Sequence, residues 1–424
     1  MRNYRFHEIK CNDKNIIFDR DTSQIYVGTL KENNWKISEK ENGDKINQSK
    51  FLLNPEYNTL IISCAETCNL SCKYCFANEG TYNSSKNLIM NDKMYGQLLD
   101  KLLVKNEPLK SISLFGGEPL LGFKYIKNFI KKLQEGYLAK DWPLPLIGIV
   151  TNGTLITKEI GDFFQEYNIA VTISLDGSKE FNDLNRKYPN STKSVYDKIV
   201  SNISNIRNRT FPLVAAATIS TDIIKQYQKG DYKKYLEHYQ SLGFDYVEHF
   251  IADSPIPLTT EEITKIELYA IDKVEVVFDN LVNNNLYVPY GVIGVLSTIV
   301  QKKYSPECGA GLTQMFYSAE NEFYPCQTYY AVKEKHRNTL YRTEIINCQE
   351  CFCVNICCAY CSGSSLLFNG NESSVIERRC VYQKALTEAI IKNLYIYTND
   401  KDYRIKIVKN LKKLANTNFN RIAR

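Results

Sequence analysis

Three cysteines in one short run, Cys68-Asn69-Leu70-Ser71-Cys72-Lys73-Tyr74-Cys75, constrain this chain more than any other feature. The spacing CxxxCxxC offers three thiolates to a metal site from a single loop. A filled cubane cluster takes four. Three protein ligands therefore leave one iron open, and an open iron can bind and reduce a small molecule. That is the arrangement of a catalytic cluster, as opposed to a sealed electron carrier.

The other cysteines fall into a pattern around this run. Of fourteen in 424 residues, Cys11 stands alone, four lie between Cys64 and Cys75, and nine lie between Cys308 and Cys380. The start, Met1-Arg2-Asn3-Tyr4-Arg5-Phe6-His7-Glu8, has no apolar core of a secretion signal. The apolar stretch Val288 to Val300 is interrupted and too short to span a bilayer. A cytoplasmic location is expected, where so many cysteines bind metal or do redox work and do not form a disulfide framework. With 44% hydrophobic and 24% charged residues the chain reads as soluble and globular, long enough for two or three domains. A net charge of +6 falls short of a nucleic-acid binder and would suit an acidic peptide. Neither nucleic acid nor membrane is an expected partner.

Between the two cysteine regions, short β-rich runs alternate with helical patterns. The runs are Thr59–Ser63, Ser111–Phe115, Leu146–Thr151, Ala170–Leu175, Pro212–Thr218 and Tyr246–Ile251. Helices are expected at Asp92–Val104, Phe123–Gln134, Lys158–Tyr167, Ser194–Ile206 and Tyr232–Leu242. Such alternation predicts βα units, a parallel sheet and an α/β fold, here a partial (β/α)6 barrel. Active sites of barrels lie at the C-terminal ends of the strands, and the CxxxCxxC loop directly follows the first run. The expected division is 1–54, an N-terminal segment with a candidate leader-peptide-binding hairpin (Asn15–Asp19 with Gln24–Val27), a plain capping hairpin being the alternative, and a polar stretch Lys31–Lys50; 55–285, the barrel; 286–395, a cysteine-rich domain; and 396–424, a basic helical tail expected as a solvated surface helix, with a docking function as the alternative.

By spacing alone the triplet leaves zinc open, with Cys64 the nearest candidate fourth ligand, although Cys64 lies in an expected strand. Gly116-Gly117-Glu118-Pro119 follows the second strand directly. Its glycines let backbone approach a ligand closely, and its carboxylate can accept a hydrogen bond from an ammonium group. At this point the sequence resembles the radical SAM superfamily over about Thr59 to Ala252. The resemblance implies a [4Fe–4S] cluster on Cys68, Cys72 and Cys75, with S-adenosylmethionine (SAM) on the open iron. Gly116, Gly117 and Glu118 match the family motif that holds the methionine amino group. Thr151-Asn152-Gly153 and Ser174-Leu175-Asp176-Gly177 resemble the next two strand ends, with Asn152 a candidate contact and Ser174 contacting the ribose or carboxylate of SAM. Arg186 is a candidate for the SAM carboxylate, with a surface arginine as the alternative. Tyr74 and Phe76 are candidates to pack near the adenine, with ordinary core packing as theirs.

Cys348, Cys351, Cys357 and Cys361 read CxxCx5CxxxC; Cys308 and Cys326 precede them and Cys380 follows. This order resembles the SPASM extension of radical SAM enzymes, which carries two auxiliary clusters. The resemblance assigns Cys348, Cys351, Cys357 and Cys380 to one complete [4Fe–4S] cluster. It gives Cys308, Cys326 and Cys361 to another that lacks an assigned fourth ligand, so that three clusters are expected in all. Cys353 and Cys358 are additional: either closes that second cluster, or both are free thiols. Where the family has glycine five residues before the hairpin cysteine, this chain has Asn321, the residue that best replaces glycine in a left-handed turn.

These resemblances imply an enzyme in which an electron from the reduced cluster cleaves SAM, giving a 5′-deoxyadenosyl radical that abstracts hydrogen. Enzymes with this extension mostly act on peptides, and Cys72–Tyr82 resembles maturases that form thioether cross-links in ribosomally made, cysteine-containing precursor peptides (sactipeptide and ranthipeptide maturases). A flavodoxin or ferredoxin would supply electrons. The alternatives are formylglycine formation as in anaerobic sulfatase maturases, carbon–carbon cross-linking and epimerisation. Gln327, where sulfatase maturases typically carry aspartate, counts against formylglycine. Outside this class, a zinc-binding module would leave the GGEP run without a role, and an electron carrier would not need the barrel.

Overall fold

The computed structural model describes residues 5–12, 14–27, 57–104, 107–305, 308–338 and 341–416. The stretch Lys31–Lys50 and the end of the basic tail, 417–424, lie outside the described residues.

Three strands open the chain: β1 (Phe6–Cys11), β2 (Lys14–Asp19) and β3 (Gln24–Val27). They form an antiparallel sheet in the order β1-β2-β3. The expected hairpin is thus present and gains a third strand in β1, whose short alternating pattern gave little sequence signal.

The larger sheet begins with β4 (Thr59–Glu66), which pairs with the short β5 (Leu88–Ile89) and runs parallel to β6 (Ser111–Gly116). Then come β7 (Leu146–Thr151), β8 (Ala170–Ser174), β9 (Leu213–Ile219) and β10 (Tyr246–Ile251), each parallel to the one before. All eight residues of β4 are buried, as a strand covered on both faces requires. The connecting helices are α1 (Asp92–Val104), α2 (Phe123–Ala139), α3 (Lys158–Glu166), α4 (Lys179–Asn185), α5 (Val195–Ile203), α6 (Thr221–Gln226) and α7 (Asp231–Ser241). Side-chain oxygens of Thr157, Ser178, Ser194 and Ser220 cap α3, α4, α5 and α6, satisfying amides that the helix leaves without partners. These helices bury an apolar layer that includes Leu98, Ile130, Phe164, Ile199 and Tyr239 against Ile62, Leu114, Ile149, Ile173 and Ala215 of the strands.

The sheet continues past the six parallel strands. β11 (Gln314–Tyr317) runs parallel to β4 on its other side, and β12 (Phe323–Tyr324) pairs antiparallel with β11. Asn321 in the β11–β12 turn has φ of +68°, the left-handed conformation expected of it. The cysteine-rich segment is therefore bound to the barrel by backbone hydrogen bonds.

The remaining helices are α8 (Thr260–Val282), α9 (Tyr290–Val300), α10 (Gln327–Ala331), α11 (Ile346–Gln349), α12 (Ser362–Asn369), α13 (Glu377–Thr398) and α14 (Lys401–Asn416). A second core joins α8, α9, α13 and α14 to β1 and β2, through residues such as Val277, Leu296, Ile390, Ile9 and Phe18. The stretch Val288–Val300 belongs to this core as α9. The basic tail is a helix that docks: Ile407 and Leu414 are buried, and the Asn410 amide donates to the carbonyl of Leu281 at 2.7 Å. No described helix is long and apolar enough to cross a membrane.

Candidate active site and cysteine centres

The loop after β4 carries Cys68, Cys72 and Cys75 and is tied down at both ends. The amides of Ser71 and Lys73 donate to the carbonyls of Lys187 (2.7 Å) and Asn185 (3.0 Å). The Asn152 side chain donates to Asn69 at 2.8 Å and reaches the Cys68 sulfur at 3.7 Å. Asn69 in turn donates to Thr154 at 2.9 Å. Tyr82 packs against Phe76, Phe316 and Tyr330, joining the end of the loop to the hairpin β11–β12. Phe76 is thus part of a packed aromatic group. Cys64 lies wholly buried inside β4, where its thiol donates to the carbonyl of Ile62.

The glycine run lies against this loop. The amides of Gly117 and Glu118 donate to the carbonyls of Ala65 (2.7 Å) and Thr67 (2.9 Å). A Cβ at Gly117 would stand 2.2 Å from the Thr67 carbonyl oxygen, and one at Gly80 (φ +82°) 2.4 Å from the Gly117 Cα. Neither approach admits a side chain. Glu118 is completely buried. Its carboxylate accepts from the Thr151 hydroxyl (2.7 Å), the Asn152 amide (2.7 Å) and the Leu120 amide (3.0 Å). A carboxylate offers about four lone-pair sites, so one remains for a ligand. Burial pushes this carboxyl up to about 7, against the pull of those three donors.

Ser174 ends β8, half-buried, beside Ala216 of β9. Two residues on, Asp176 accepts from the Arg186 guanidinium (3.0 Å), the Thr218 amide (2.9 Å) and the Tyr74 hydroxyl. Arg186 is only 7% exposed, which removes the surface-arginine alternative. Its guanidinium lies over the Tyr74 ring, 5.5 Å from the centroid, and near enough to Cys72 to draw that thiol down. Asp176 is thus a site residue that the sequence offers only as part of the Ser174–Gly177 run. Its signal was the strand-end position two residues past Ser174.

In the second region, Cys348, Cys351, Cys357, Cys361 and Cys380 line one cavity of about 580 Å³ together with Arg342, Cys353 and Arg379. Cys326 and Cys308 pack together with Ala310 and Tyr329 apart from that set, and Cys326 lies close enough to both Cys361 and Cys308 that their charges raise its thiol. Cys353 lines the same cavity as Cys351, and Cys358 donates to Gln383 at 3.7 Å. Cys361 thus lies both in the cavity of the first group and near Cys326.

Among the described residues no three His, Cys, Asp or Glu side chains close on a single-ion site. A cluster of four irons, each taking one thiolate, spreads its ligands wider than one ion does. The thiols themselves fit a cationic inorganic core. Burial pushes Cys68 and Cys326 up to about 12 and Cys72 up to about 11. In the other set it takes Cys348 to about 12 and Cys380 to about 11, with neighbouring cysteines adding to the rise, whereas Cys351 is drawn down to about 6, chiefly by Cys353. The raised thiols become thiolates at neutral pH only with a positive partner between them.

Comparison with known proteins agrees with this geometry. Residues 62–249 match the family model described as the radical SAM superfamily. The chain is 34% identical over 122 residues to the radical SAM cyclopropyl synthase TigE of Paramaledivibacter caminithermalis, covering 26% of this chain and 25% of that protein. It is 32% identical over 136 residues to the cysteine-type anaerobic sulfatase-maturating enzyme of Clostridium perfringens, covering 31% and 36%. The chain thus spans well under half the length of these curated relatives. In fold it is similar to native anSMEcpe with bound AdoMet and Cp18Cys peptide (TM-score 0.63, 20% identity, 82% of this chain and 99% of that one). It is also similar to Streptococcus suis SuiB bound to the precursor peptide SuiA (TM-score 0.52, 18% identity, 77% and 76%). The three-cysteine loop and the strand ends that surround it thus lie within a segment, residues 62–249, that matches the radical SAM superfamily.

Proposed function

We propose that this chain is a peptide maturase that forms a thioether between a cysteine sulfur and a carbon of a ribosomally made precursor peptide. When bound, a [4Fe–4S] cluster and SAM supply a 5′-deoxyadenosyl radical able to take hydrogen from an unactivated C–H bond. Cys68, Cys72 and Cys75 would hold that cluster. The Gly116–Gly117–Glu118 turn presents backbone and the one free lone-pair site of Glu118 to the methionine ammonium. Ser174 stands at the strand end for the ribose or carboxylate. Arg186, fixed by Asp176, offers a cation to the SAM carboxylate, and Tyr74 fixes the same aspartate from the loop. Asn152 holds the loop's first cysteine in register with β7.

In this reading two auxiliary clusters complete the chain, one on Cys348, Cys351, Cys357 and Cys380 and one on Cys308, Cys326 and Cys361. The observation that supports the thioether assignment is the placement of Cys353, buried in the lining beside Cys351, and of Cys358, whose thiol donates to Gln383. Neither takes the fourth position of the second set, which leaves room there for a thiol of the substrate. The likeness in fold to two enzymes solved with peptides supports a peptide substrate.

Formylglycine formation is the second reading, favoured by the identity to sulfatase-maturating enzymes. It is opposed by Gln327, an amide that cannot serve as a base, beside Cys326.

Anaerobically reconstituted protein should release deoxyadenosine from SAM under dithionite, and Cys72→Ala should not. Co-expression with a cysteine-rich peptide encoded beside the gene should lower that peptide's mass by about 2 Da per cross-link, one hydrogen lost at sulfur and one at carbon. Deoxyadenosine without a cross-linked peptide, and with an aldehyde on a sulfatase, would favour the second reading. A colourless, zinc-loaded protein would end both.

A further inference from the structure

One ion pair lies between the two auxiliary cysteine sets and the barrel. Arg379 is in the first turn of α13, beside Cys380, and lines the cavity of the four-cysteine set. Cys361, which the other set would share, lines the same cavity, close enough that its charge acts on the Arg379 guanidinium. Ser364, whose amide donates to the Cys361 sulfur at 3.4 Å, accepts from the same guanidinium at 3.2 Å. Arg379 is further held by the carbonyl of Ala359 at 3.3 Å.

The partner of this arginine comes from the barrel. Asp253 follows β10, the last of the six barrel strands, and its two carboxylate oxygens accept from Arg379 Nε and a terminal nitrogen, both at 2.6 Å. The Asp253 side chain is 10% exposed. Neighbouring contacts keep the pair in place: Arg378 donates to the carbonyl of Ala252 at 3.3 Å, and Glu377 accepts from the Leu258 amide at 3.1 Å. A bidentate pair of this kind fixes orientation as well as charge.

We propose that the Arg379–Asp253 pair sets the reduction potential of the cluster held by Cys308, Cys326 and Cys361. The inference rests on the reading that this set holds a cluster. A reduced cluster carries one more negative charge than an oxidised one. A cation held beside a ligand sulfur, here through Ser364, therefore favours reduction, and net charge is one of the levers by which proteins tune such centres. Asp253 offsets part of the arginine's charge and fixes where the remainder points. Because Asp253 stands at the C-terminal end of the barrel, it joins the potential of the electron acceptor to the rim where substrate enters. Both residues are positioning residues in this account.

The test is a redox titration of the full, reconstituted chain followed by electron paramagnetic resonance, with Cys361→Ser identifying the signal of this cluster. Arg379→Gln should shift its potential downward and Asp253→Asn upward, while Arg379→Lys, which keeps the charge, should move it least. Opposite signs are what charge requires, and a merely structural clamp would not give them. Unmoved potentials, or shifts of the same sign in both variants, with iron at the wild-type level of about twelve per chain for three four-iron clusters, would overturn the proposal. If Arg379→Gln fails to hold its clusters, Asp253→Asn and Arg379→Lys decide. A wild-type protein with only about four irons per chain would instead end the reading of the auxiliary clusters, and this inference with it.

Discussion

Arg186 and Asp176 form an ion pair at 3.0 Å between two side chains that water scarcely reaches, 8% and 0% exposed. The pair holds the Tyr74 side of the cysteine loop to the end of β8, because Tyr74 donates to the other oxygen of the same carboxylate.

Breaking this pair should be costly. Removal of one partner leaves the other charge buried and uncompensated, a loss of about 3–5 kcal/mol. Arg186→Met should lower the midpoint of denaturant unfolding accordingly. Asp176→Leu combined with Arg186→Met should cost less than the two single losses added, as a double-mutant cycle measures. Equal additive losses would show that the two residues act independently.

The contact of Gly117 with the Thr67 carbonyl predicts an intolerant position. A methyl group there meets backbone at 2.2 Å, and backbone on both sides is hydrogen-bonded. Gly117→Ala should destabilise by roughly 1–3 kcal/mol and reduce iron retained after reconstitution. Gly96→Ala is the control, since an added Cβ there meets nothing within 4 Å.

Glu118 predicts a pH dependence in the protein free of cofactor. Its folded value of about 7 lies above the ordinary 4.5. The folded state therefore binds the proton more tightly, and this group's contribution to stability falls as pH rises through that window, complete above about 7. Urea unfolding near pH 5 and near pH 8 should show Glu118→Gln losing less stability with rising pH than the wild type, by roughly 2 kcal/mol. The comparison of slopes is the readout, since glutamine also gives up one acceptor.

Metal content should follow the three cysteine sets. Cys68→Ala, Cys308→Ala and Cys348→Ala should each lose about four irons per chain. Only the first should abolish SAM cleavage. Loss of SAM cleavage in all three variants would show that the centres do not assemble separately.

Much of the architecture was legible in sequence because it depends on local pattern. The expected runs Leu146–Thr151, Tyr246–Ile251 and Asp92–Val104 coincide with β7, β10 and α1. Those segments carry their own period and their own turn chemistry. Asn321 likewise announced its left-handed turn, since few side chains tolerate that conformation. β1 escaped notice because a short edge strand is specified by its neighbour, here β2, more than by its own residues.

The sequence by itself determined the cysteine spacings, the βα order and the Gly-Gly-Glu turn, because each is a property of consecutive residues. Only the tertiary structure decided the partners. It brought Arg186 to Asp176 and carried Arg379 across to Asp253 from more than a hundred residues away. Charge pairing and burial act through space, and chain order fixes them only after the barrel and the C-terminal helices have packed.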